Sequence, residues 1–177
     1  MNVADITDVI AVLDQMCAER IIRKFAVGGA FAATLHDEPI ATRDLDIFFL
    51  FSKEQNSLVL DLSEIYDFAL RHGFTFDHEF INIHGWLVQF VEVSRNSLWI
   101  EALDGATEIF IGNSRLAVIT PDYLAAMWLL AGRNKDFAKM AIFFDNGLVD
   151  QANFLKIVER HELTLKWSKE RRRFGYE

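Results

Sequence analysis

Residues Phe25 to Phe48 read FAVGGAFAATLHDEPIATRDLDIF, and this stretch decides the fold. Phe25-Ala26-Val27 has the apolar character of a short strand, and Gly28-Gly29 stops it. Ala30 to Leu35 has the composition of a short helix. His36 to Thr42, with Pro39 inside it, reads as a loop. Asp44 to Phe51, DLDIFFLF, is a second strand. Glycines after a strand let the backbone come close to a ligand, and the N–H groups at the start of the next helix face an anion. In a strand, residues i and i+2 share a face, so Asp44 and Asp46 project to one side. Paired carboxylates suit Mg²⁺, which takes one or two of them plus water and substrate phosphates. Taken alone, a Gly-Gly pair is an ordinary turn and a D-x-D an ordinary strand end. The order strand, glycines, helix, strand, acid pair is what gives both meaning.

Working outward, Ile6, Val9, Ile10, Leu13, Met16 and Cys17 fall on one face of a helix. Asp61 to His72 is helical by the same criterion, and Gly73 ends it. Glu79 to Ile83 and Trp86 to Val93 flank His84-Gly85 as a hairpin. Glu108 to Ile111 and Arg115 to Ile119 flank Gly112-Asn113 as another. Thr120-Pro121 starts a helix, and everything beyond it reads as helix. Asn146-Gly147 closes one helix, Asp150 caps the next and Thr164 the last. The expected class is α+β: a small mixed sheet flanked by helices over residues 1–119. A helical C-terminal region, 120–177, is expected to pack on it in one compact unit.

The chain has 177 residues, 51% of them hydrophobic, and a formal charge of −8. That composition excludes a disordered chain. The acidic balance excludes general affinity for duplex DNA, which needs many Lys and Arg on phosphates. The single cysteine, Cys17, reads as a buried, inert thiol. With no disulfide framework, an acidic N-terminus and no apolar run of about 18 residues, the expectation is a cytoplasmic protein with no membrane partner.

The segment from Phe25 to Phe48 resembles the nucleotidyltransferase signature of the DNA polymerase beta superfamily. Its Thr-Arg-Asp-Leu-Asp-Ile form is similar to the AbiEii toxin branch. Glu101-Ala102-Leu103 through Val118, Thr120-Pro121-Asp122-Tyr123-Leu124 and Gly132-Arg133-Asn134-Lys135-Asp136 resemble related bacterial nucleotidyltransferase-like proteins of unknown function. The resemblance implies a nucleoside triphosphate held with Mg²⁺, Gly28 and Gly29 under its phosphates, and Asp44 and Asp46 as metal ligands. It implies nucleotidyl transfer to a hydroxyl on a protein, an RNA such as tRNA, or a small molecule. AbiEii-type members are often toxins paired with a protein antitoxin.

The pattern departs at one position. Transferases of this superfamily carry a third carboxylate on a later strand, here Trp86 to Val93. The matching residue is Gln89, whose amide can ligate a metal but cannot take a proton. Glu92 is three positions on, so it faces the other way unless a bulge intervenes. Two outcomes stay open: an enzyme with another base, or a degenerate nucleotide-binding or protein-interaction module without turnover. Among the cations, Arg43 could reach a triphosphate or pair with a nearby acid. Arg133 and Lys135 could clamp phosphates, or Lys135 and Asp136 could pin the helical third to the sheet. The five histidines lack metal-ligand spacing. The four tryptophans read as core, and the basic run Lys166 to Arg173 as a solvated helix end.

Overall fold

A computed structural model describes residues 6–36, 44–53 and 59–175. Helix α1 (Ile6–Ala18) precedes strand β1 (Ile22–Val27), helix α2 (Gly29–His36) and strand β2 (Asp44–Phe51). Helix α3 (Ser63–Arg71) leads into β3 (Thr75–Asp77), β4 (Phe80–Ile83) and β5 (Trp86–Glu92). Helix α4 (Ser97–Asp104) is followed by β6 (Thr107–Ile111) and β7 (Ser114–Val118). The chain then runs through α5 (Pro121–Ala131), α6 (Asn134–Asp145), α7 (Gln151–Arg160) and α8 (Thr164–Glu170), ending in a 3₁₀ turn, Arg171–Phe174.

The seven strands form one sheet in the order β3-β4-β5-β2-β1-β7-β6. β2 is antiparallel to β1 but parallel to β5, and β1 is parallel to β7, so the sheet is mixed. The expected α+β class is therefore what the chain adopts. β2 lies at the centre, and its sequence shows why: Leu45, Ile47, Phe48, Phe49 and Leu50 are buried, as a strand covered on both faces requires. Gln89 stands beside Asp46 in the β2–β5 register.

Two elements escaped the sequence reading. β3 is three exposed residues with no alternation to detect. α4 lies between the two hairpins, where no helix was expected. Its signal was present: Asn96 Oδ1 accepts from the N–H groups of Leu98 and Trp99, and Leu98, Ala102 and Leu103 form its buried face. Three smaller expectations also change. β1 begins at Ile22 rather than Phe25. Thr164 is the first helical residue of α8, and the cap position belongs to Leu163. Cys17 is half-buried rather than buried, with burial first and Asp14 second pushing its thiol up.

Asp150 does cap α7, accepting from the N–H groups of Ala152 and Asn153. α5 is apolar nearly all round and ends at Gly132, whose φ of 70° is a left-handed C-cap. It packs on α2 and α4 on one side and on α6, α7 and α8 on the other. An aromatic cluster of Phe144, Phe154, Trp167 and Phe174 closes the C-terminal end. Among the described residues, no helix is long and apolar enough to cross a membrane.

Candidate functional site

The β1–α2 bend and the start of β2 meet at Asp46. The Gly28 N–H donates to the Asp46 carbonyl at 2.9 Å, which fixes the bend against the strand. Gly29 has a φ of 60°, and a Cβ there would overlap the Asp46 carboxylate. A Cβ on Gly28 would run into the Phe48 ring. Both glycines are therefore required by the residues facing them, Gly29 by the acid itself. The Asp46 side chain lies directly over the bend.

Asp44, Asp46 and Phe48 share one face of β2. Gln89, half-buried, is the direct partner of Asp46 on β5 and points to the same side. Glu92 pairs with Phe49 in an unbroken register, which places it on the opposite face. Its two oxygens accept from the N–H and hydroxyl of Ser94. No bulge brings it round. Among the described residues, no three or more His, Cys, Asp or Glu side chains come together as a metal cluster. The oxygen donors of this face are thus the two Asp carboxylates and the Gln89 amide.

Asp46 heads a cleft of about 360 Å³ between the sheet and α5. Arg133 stands at the same polar end, while Phe48, Trp99, Met127 and Trp128 give it an apolar wall. The Phe48 and Trp99 rings meet edge to face at 5.8 Å. Burial raises the Asp46 carboxyl above its ordinary value, and Asp44 adds to the rise. Lys139, Arg133 and Lys135 oppose it. Lys139, missed in the sequence, is the strongest of these three cations. Its spacing was a usable signal, because Lys135 and Lys139 are four apart on α6 and share a face. The Lys139 amine also lies 5.6 Å from the centre of the Trp128 ring.

Arg133 has a second task. Its Nε donates to Asp136 Oδ2 at 2.6 Å and its NH2 group to Oδ1 at 3.2 Å. Asp136 is fully buried, so the guanidinium fork closes over an acid in the interior. The partner of Asp136 is thus Arg133, not the sheet, which corrects the Asp136 half of the alternative that Lys135 and Asp136 tie the helical third to it; the charge of Lys135 does act on Asp46 of β2. Arg43 lies outside the described residues. Of the expected site residues, Gly29, Asp46 and Arg133 line the cleft. Gln89 pairs with Asp46 across the sheet, the Gly28 N–H donates to the Asp46 carbonyl, and the charges of Asp44 and Lys135 act on the Asp46 carboxyl. Trp128 and Trp167 lie in the core and Trp86 and Trp99 pack against it, as expected, and Trp99 and Trp128 also line the cleft.

No protein-family model and no curated protein matches this chain. Among solved structures, the chain is similar to an antigenic nucleotidyltransferase-like protein from Paracoccidioides brasiliensis. The TM-score is 0.52 at 14% identity, over 94% of this chain and 90% of that one. The solution structure of the antibiotic-resistance factor ANT(2'')-Ia aligns with a TM-score of 0.49 at 10% identity, over 96% of this chain and 99% of that one. With Asp46 standing over a glycine bend on a mixed sheet, the architecture is a nucleotidyltransferase-like fold.

Proposed function

We propose that this chain binds a nucleoside triphosphate with Mg²⁺ at Asp44 and Asp46 and transfers its nucleotidyl group to a hydroxyl acceptor. The observation that carries this reading is the Asp46 carboxylate held over Gly29 at the polar end of a cleft, in the field of Lys139, Arg133 and Lys135. The donor set fits Mg²⁺: hard oxygens from two carboxylates and an amide, leaving positions for water and phosphate. Burial and the nearby Asp44 both disfavour ionised Asp46, and a divalent cation would relieve that cost.

Bound there, the ion would polarise the α-phosphate and stabilise the departing pyrophosphate. The chain's own residues do the rest. Lys135 and Lys139 offer point charges to the triphosphate, while Arg133 is already committed through Nε and NH2 to Asp136. The apolar wall at Phe48 and Trp99 excludes water from one side of the cleft. In the transfer, the acceptor oxygen bonds to the α-phosphorus, the bond to the bridging oxygen breaks, and pyrophosphate leaves. Gln89 cannot take the acceptor proton, which passes to water.

The test is incubation with radiolabelled nucleoside triphosphates, Mg²⁺ and candidate tRNA or protein acceptors. Label transfer is expected, and Asp46→Asn should abolish it. A second reading rests on Gln89 beside Asp46, where a carboxylate would serve a transferase: a module that binds nucleotide without turnover. Mg-dependent nucleotide binding with no labelled acceptor would favour it. The AbiEii-like context, a toxin with a protein antitoxin, is part of the first reading. It is supported by the Thr-Arg-Asp-Leu-Asp-Ile sequence at residues 42–47. Induced expression should then arrest growth, and the Asp46→Asn variant should not.

A further inference from the structure

Outside the cleft, α4, α5 and the end of α7 share a polar network. Glu101 accepts from Tyr123 Oη at 2.8 Å and pairs with Arg160. Its other oxygen, Oε2, lies 2.8 Å from His161 Nε2. The remaining imidazole nitrogen, Nδ1, lies 3.2 Å from the Ser97 hydroxyl. The His161 side chain is only 7% exposed, whereas Ser97 is open to solvent. Burial alone would raise the Glu101 carboxyl. Hydrogen bonds from Tyr123 and His161 and the charge of Arg160 outweigh that and hold it below its ordinary value. An ionised carboxylate only accepts, so Nε2 carries the proton, and in the neutral ring Nδ1 holds the lone pair. In that tautomer the Ser97 hydroxyl donates to His161.

A cavity of about 260 Å³ opens where Ser97 and His161 meet, walled by Leu98, Leu130 and Leu163 with Arg95 and Asn96 at its rim. We infer that Ser97 is a nucleophile at a second site, activated by His161 and Glu101, that takes the acyl group of a small ester. Glu101, Tyr123, Arg160 and His161 tie the three helices together, and the exposed Ser97 hydroxyl extends that chain from the inner imidazole to the cavity. The ring meets the serine through Nδ1 and the carboxylate through Nε2, the reverse of the serine-protease order; in a neutral imidazole the nitrogen without the proton is the acceptor, whichever of the two it is.

Ser97 Oγ bonds to the ester carbonyl carbon while its proton moves to Nδ1. That proton then goes to the alkoxide as the ester C–O bond breaks. Water repeats the sequence, with His161 as base, and frees the acid and the serine. Ser97 is the first residue of α4, so its own N–H has no intrahelical acceptor and can face the developing oxyanion. This inference stands apart from the nucleotide site.

The probe is a fluorophosphonate, whose P–F bond breaks as Oγ bonds to phosphorus. One adduct is expected, on the peptide containing Ser97. Ser97→Ala should lose it with an unchanged melting curve, since the side chain is exposed. Wild-type protein that stays unlabelled, or a Ser97→Ala variant labelled at the wild-type rate, would overturn the inference. Ser97→Cys gives an independent readout. At pH 7, iodoacetamide should alkylate position 97 at least ~10-fold faster than Cys17, because a thiol beside an imidazole ionises more readily than one raised by burial. Equal rates at the two thiols would count against it.

Discussion

Asp46 occupies a position that costs the fold stability. Its carboxyl is raised first by burial and then by Asp44. The folded state therefore holds the proton more tightly than the unfolded chain, whose value is near 3.8. The sign follows: as pH rises from below 3.8 through the folded value, the unfolded state gains relative stability, and the deficit persists at neutral pH. Asp46→Asn should accordingly melt higher than wild type at pH 7, the difference vanishing near pH 3, while label transfer falls by about 100-fold or more. Thermal melts across pH and the transfer assay check both halves. Gly29 makes the complementary case. Alanine there must adopt a left-handed backbone, costing about 1–2 kcal/mol, and must also displace the carboxylate. Gly29→Ala should lower the melting temperature and weaken Mg-nucleotide binding together. The glycine pair was visible in the sequence. That Asp46 itself is what excludes a side chain at position 29 was not, because the contact spans 17 residues and depends on the β1–β2 register.

At the scale of elements, β2 and β5 set the acid geometry and α6 sets the cations. The parallel register puts Gln89 next to Asp46, so Gln89→Glu adds a third carboxylate without moving the backbone. That variant should bind Mg²⁺ more tightly and transfer label ~10–100-fold faster, since a side chain could now take the acceptor proton. Without Mg²⁺ it should melt lower than wild type, because three acids then repel. On α6, Arg133→Ala leaves the buried Asp136 carboxylate without its fork. A loss of about 1–3 kcal/mol in denaturant unfolding is expected. Arg133 is largely exposed, which keeps the figure at the modest end. Period and punctuation made the strong elements legible: α1 from its apolar stripe, β2 from its run, and the hairpins from Gly85 and Gly112. β3 was not legible because three exposed residues carry no pattern. α4 was overlooked although Asn96 and the Leu98–Leu103 spacing announce it. The i, i+4 spacing of Lys135 and Lys139 puts both on one face of α6, but only the tertiary packing shows that this face turns to Asp46 rather than to solvent.

Across the whole molecule, a chain with a net charge of −8 gathers three cations around one half-buried acid. The mixed sheet supplies the carboxylates from its central strand, and α5 gives the cleft headed by Asp46 an apolar wall. α6 then brings Arg133, Lys135 and Lys139 back to the strand face from almost 90 residues downstream. Sequence order could suggest the sheet, because strand, bend and strand are local. It could not place the helical third against the cleft, since that docking is decided by packing among α2, α4 and α5. The account stands on a metal-bridged nucleotide at Asp46, and calorimetric titration with non-hydrolysable triphosphate analogues, with and without Mg²⁺, tests it most directly. Wild-type protein should bind at least one analogue only when Mg²⁺ is present, and a folded Asp46→Asn variant should not. Metal-independent binding, binding unchanged by that substitution, or no binding to any analogue would contradict it.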